Sequence, residues 1–79
     1  MSGTKRNKFL LENLRLQRIA IVKAVTADSM PDFMVWSEIF KNAQILEKHI
    51  RVNPNLENFR KNEIEALKNL EPVIQKLNS

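Results

Sequence analysis

The chain has 79 residues, a net charge of +4 and no cysteine, and 43% of it is hydrophobic. It makes one small domain that buries only about 60–65% of its unfolded surface, with no disulfide or thiolate metal site to supplement the core. One glycine and three prolines give too little turn chemistry for a many-stranded β fold, and no apolar run is long enough to span a membrane. Composition therefore predicts a soluble, cytoplasmic, all-α protein.

Residues 1–7 read as a flexible basic N-terminal arm, and residues 8–79 as a single three-helix domain. The first helix is expected over about 8–27. Leu10, Leu11, Leu14, Ile21, Val22, Ala24 and Val25 form its main apolar face, at the spacing that stacks side chains on one side of a helix. Ser29 then offers an N-cap, with Pro31 tolerated in the first turn and Asp32 three residues on.

The second helix is expected over about 30–51. Trp36, Ile39, Ala43, Leu46 and Ile50 alternate steps of three and four along a seam that Phe33 and Phe40 widen. Lys48, His49 and Arg51 suit its C-terminal carbonyls. Asn53 and Pro54 end it and cap the third helix, expected over about 54–77 with Leu56, Phe59, Leu67, Leu70, Ile74 and Leu77 on one face. Pro72 lies within that pattern, so the helix either kinks there or breaks into a short final turn. Short connections make consecutive helices run antiparallel, giving an up-down-up three-helix bundle.

The first helix has more apolar surface than such a bundle needs. From Lys8 to Ala27, 12 of 20 residues are apolar, and Phe9, Leu16, Ala20 and Ala27 form a second line well round from the first. One reading makes this helix central to the bundle. The other makes the surplus an intermolecular surface, and self-association would add core that a domain this small lacks. On that reading the homodimer or partner interface uses Phe9, Leu16 and Ala20, with Met34 and Ile45 from the second helix.

Charge is uneven. Residues 1–27 carry six basic side chains and one acidic, +5, and the remaining 52 carry seven and eight, −1. Lys5, Arg6, Lys8, Arg15 and Arg18 could meet nucleic-acid phosphates or an acidic protein. The basic side chains project around the helix rather than forming one ribbon, and no tyrosine is available for base stacking, so nucleic-acid binding is the alternative reading.

Catalytic equipment is not evident. His49 is the single histidine and reads as solvent-facing. Glu47 and Glu63 read as rim carboxylates paired with basic residues, Glu47 with Arg51 one turn on. Ser29 and Ser37 lack a base, and Gly3 alone makes no phosphate loop. The sequence reads as a non-enzymatic interaction or regulatory protein, an inhibitor, adaptor or assembly subunit, with no cofactor, metal or small-molecule substrate.

Overall fold

The computed structural model describes residues 2–52 and 59–78, with side chains over 6–52 and 59–76. Three helices account for nearly all of it: α1 (Ser2–Val25), α2 (Met30–Val52) and α3 (Lys61–Asn78). Helix α2 is central, packing against both α1 and α3, whereas α1 and α3 meet only slightly. Of the two readings of the apolar surplus on the first helix, the one that makes that helix central does not hold. The radius of gyration of 12.8 Å exceeds the roughly 11.6 Å of a compact chain this long, and the extents of 42 × 25 × 18 Å describe a thin, elongated body.

The N-terminal arm is not an arm. The helix is formed from Ser2, and Arg6 accounts for the extension. Its Nε donates to the Ile50 carbonyl at 3.0 Å and its Nη2 to that of Arg51 at 3.4 Å, carbonyls that the end of α2 leaves without intrahelical partners. At its other end α1 stops at Val25, two residues short of expectation. The Thr26 backbone N–H and hydroxyl both donate to the Val22 carbonyl, and the Ala27 N–H turns in to the Ala24 carbonyl.

Helix α2 begins as expected. The Asp32 N–H donates to Ser29 Oγ at 3.3 Å and the Phe33 N–H to the Ser29 carbonyl at 3.1 Å, so Ser29 is the N-cap. Ala43, Leu46 and Ile50 are fully buried and Trp36 and Ile39 half-buried along the expected seam. Phe33 departs from it, remaining exposed.

Helix α3 starts at Lys61, later than expected. Phe59 and Arg60 precede it in non-helical backbone, and Phe59 is used instead as a plug. Its ring meets the His49 ring edge-on at 4.4 Å between centroids, which fixes Phe59 by tertiary packing. The capping role assigned to Asn53 and Pro54 and the burial of Leu56 lie outside the described residues. The helix continues through Pro72, so it does not break there.

The core is one cluster of Leu16, Ala43, Leu46, Ile50, Ala66 and Leu70. Leu16 and Ala20 are both fully buried. Most of the main face expected for α1 is not core: Leu11, Leu14, Ile21, Val22 and Val25 are exposed, whereas Leu10 packs half-buried against the core and Ala24 is half-buried. The two apolar lines have exchanged roles because the Leu16 line brings its own hydrogen-bonding partners. Asn13 and Gln17 lie on that side, and each reaches α2 by a side-chain bond. Small Ala20 and Ala43, both fully buried, also suit close contact between helices.

Candidate functional site

A polar thread crosses the α1–α2 contact. Asn13 Nδ2 donates to the Ala43 carbonyl at 2.9 Å. Gln17 Nε2 donates to Asn13 Oδ1 and to Glu47 Oε1, both at 2.7 Å, and Arg51 Nε donates to Glu47 Oε2 at 2.7 Å. The Gln17 amide, followed by the Arg51 guanidinium, holds the Glu47 carboxyl below its ordinary pKa, because both bonds favour the charged form. The expected Glu47–Arg51 pair is present within this longer chain.

This thread marks one side of the helix pair. Side chains advance by about 100° per residue, so Leu10, Ile21, Leu14 and Val25 follow Gln17 round α1, while Phe40 and Phe33 follow Glu47 round α2. The Gln17–Glu47 bond ties those two edges together, so the apolar lines flank a single groove. Helix α3 lies off another side of α2, where His49 meets Phe59 and Glu63. It therefore does not cover the groove. Ile21 and Val25 are 46% and 80% exposed, and Phe33 is 43% exposed. At the tip, near the α1–α2 turn, a cleft of about 530 Å³ is lined in part by Ala24, Val25, Met30 and Phe33.

The expected interface residues divide between core and surface. Leu16 and Ala20 are core, and Phe9 and Ile45 are half-buried against it. As placed, Leu16 and Ala20 have no surface to offer a partner, which corrects their assignment to an interface. Met34 remains available at 63% exposed. The exposed apolar stripe was present in the sequence as the face expected to be core.

The basic residues divide as well. Arg6 is committed to the α2 carbonyls, and the Lys5 side chain lies outside the described ones. Lys8, Arg15 and Arg18 are exposed. Their spacings of seven and three spread them over about 80° of α1. Among the described residues none of the three forms an ion pair.

His49 is buried rather than solvent-facing, at 5% exposed. Its Nδ1 lies 3.7 Å from Glu63 Oε1, so Glu63 faces His49 instead of a lysine or arginine. Glu63 Oε2 is buried without a hydrogen-bond partner among the described residues. A cleft of about 310 Å³ lies alongside, lined by Ile45, Lys48, His49, Val52, Arg60 and Glu63. Burial follows from Phe59, whose ring closes over the histidine from outside the helix, where periodicity gives no signal.

Among the described residues no group of three or more His, Asp or Glu side chains is placed to hold a metal ion, and no helix is long and apolar enough to cross a membrane. Comparison with protein-family models, with curated proteins and with solved structures finds no match to this chain.

Proposed function

We propose that this is a non-enzymatic interaction protein, a regulator, inhibitor or assembly subunit, that works by docking another molecule on the uncovered α1–α2 groove. The observation that carries the reading is the exposed line of Leu14, Ile21 and Val25 on α1, with Val25 sharing a cleft with exposed Phe33. Exposed apolar surface arranged contiguously and rimmed by polar residues marks interaction sites in soluble proteins. The descending register along α2, from Ile50 opposite Arg6 to Ala43 opposite Asn13, supports the antiparallel bundle that frames this groove.

His49 supports a structural reading rather than a catalytic one, being wedged between Phe59 and Glu63. Leu16 and Ala20 are spent inside the monomer, so self-association would use exposed apolar surface, the groove or Met34. The second reading is phosphate binding by Lys8, Arg15 and Arg18, whose exposure within about 80° of α1 favours it. It predicts affinity for nucleic acid that falls steeply with salt.

The test compares Ile21→Glu with Leu16→Glu. Ile21→Glu is expected to keep its helicity and lose association, whether with itself or with a partner. Leu16→Glu is expected to unfold. A folded Ile21→Glu protein that associates as the parent does contradicts the proposal.

A further inference from the structure

Apart from the groove, α1 has an outer side turned away from α2. Leu11, Leu14, Ile21, Val22 and Val25 are all exposed, and exposed Arg15 and Arg18 stand among them. At about 100° per residue these side chains fall within an arc of about 120°, centred opposite the buried Leu16 and Ala20. From Leu11 to Val25 the arc runs for about 21 Å, and exposed Lys8 borders it. The one acid of α1, Glu12, is half-buried and stands about 100° round from Leu11. Every charge on the arc is therefore positive. We infer that this outer side of α1 lies on the surface of a membrane that carries anionic lipids, with the helix axis in the membrane plane. Apolar side chains of such a helix enter the boundary between headgroups and acyl chains. Arg15 and Arg18 suit that depth, because an arginine packs its alkyl stem along apolar surface while its guanidinium reaches a phosphate. Among the described residues no helix is long and apolar enough to cross a membrane, and the contact inferred is peripheral.

Other occupants meet the arc less well. It lies on one helix, which α3 meets only slightly, so it offers a helical ligand no groove. A second copy would pair isologously, bringing the patch against itself. Arg18 is midway between Leu11 and Val25, so pairing centred on the arc sets Arg18 against its own copy, and like charges across an interface oppose association. A nucleic acid would satisfy Arg15 and Arg18 and leave Leu11, Val22 and Val25 uncovered.

The experiment is co-sedimentation of the full chain with vesicles of phosphatidylcholine alone and of phosphatidylcholine mixed with phosphatidylglycerol. Binding is expected on the mixed vesicles, weakening as salt is raised. Leu11→Glu and Val22→Glu are each expected to weaken it about tenfold or more, through lost apolar burial and added negative charge. Both positions lie on the border of the arc farther from the groove, so they test this side of α1 apart from docking there. Paired Arg15→Gln and Arg18→Gln are expected to weaken it about thirtyfold, the combined effect of two arginines at an anionic surface. A polarity-sensitive dye on Val22→Cys is expected to shift to the blue on mixed vesicles, and one on Lys68→Cys, exposed on α3, to stay unshifted. Circular dichroism on each variant separates lost binding from lost folding, and Leu11→Ser and Val22→Ser serve where a glutamate variant does not fold.

Absence of binding to the mixed vesicles overturns the inference. So does binding that Leu11→Glu and Val22→Glu leave unchanged, which is adsorption by charge alone. A dye shift at Lys68→Cys without one at Val22→Cys overturns it by placing another side of the molecule on the membrane. A short DNA duplex bound more tightly than the vesicles, and unaffected by Leu11→Glu, overturns it by assigning the arginines to nucleic acid. A dimer that Val22→Glu dissociates overturns it in favour of a second copy.

Discussion

The Asn13 side chain, almost wholly buried, donates from Nδ2 to the backbone carbonyl of Ala43 at 2.9 Å across the α1–α2 contact. Its Oδ1 accepts from Gln17, so both ends of the amide are used. A satisfied polar group in a packed interface specifies one alignment, because any other would leave it unpaired. Asn13→Ala is expected to cost about 1–3 kcal/mol, the range for stranding buried polar partners. Asn13→Asp should cost more, because a carboxylate cannot donate to a carbonyl. Denaturant unfolding of the two variants checks the order, and equal stabilities would show that the bond is not formed.

Glu47 makes stability depend on pH in a definite direction. Its folded pKa lies below its unfolded value through the bonds from Gln17 and Arg51. The native state then binds fewer protons than the unfolded state in the range between those values. This contribution is fully present above the unfolded carboxylate pKa and is lost as pH falls through the folded one. Glu47→Gln should therefore flatten the acid side of the stability profile. Thermal melts from neutral to acidic pH measure it, and parallel profiles for parent and variant would contradict it.

Arg6 ties the start of α1 to the end of α2. Arg6→Ala is expected to destabilise by about 1–2 kcal/mol, the scale of hydrogen bonds from a charged donor less their solvent exposure. It should also fray the first turns of α1. Amide hydrogen exchange in α1 and in the last turn of α2 reads both consequences. Unchanged protection at both ends would show that the contacts are not maintained.

His49 and Phe59 hold the α2–α3 connection by packing. Phe59→Ala is expected to cost about 3 kcal/mol, near the low end for a buried aromatic because the ring is only half-buried. It should also expose His49. The His49 ring protons report that exposure in the NMR spectrum, and an unaltered environment in Phe59→Ala would exclude the contact.

Parts of this fold were legible because local and tertiary signals agree. The bounds of α2, the Ser29 cap and the Glu47–Arg51 pair all follow from patterns within a few residues of one another. The phase of α1 was not legible for a physical reason. Leu10, Leu11, Leu14, Ile21, Val22 and Val25 outweigh Leu16 and Ala20 in apolar bulk, and Asn13 and Gln17 make the true core side look polar. Only their partners, thirty residues away in each case, reveal that these amides face inward. The groove was therefore visible as an apolar surplus, while the side that carries it was not. His49 escaped for a related reason, since Phe59 acts from outside the helix.

The exchange of the two α1 lines underlies the groove and everything proposed for it. Because the chain has no cysteine, single replacements report accessibility against a silent background. The decisive measurement is the reaction rate of Ile21→Cys and Leu16→Cys with a thiol reagent under native conditions. Ile21→Cys is predicted to react close to the rate of the unfolded chain, and Leu16→Cys to react only through unfolding, slower by a factor set by the stability of the fold. A protected Ile21→Cys with a reactive Leu16→Cys would put the core on the other side of α1 and remove the groove.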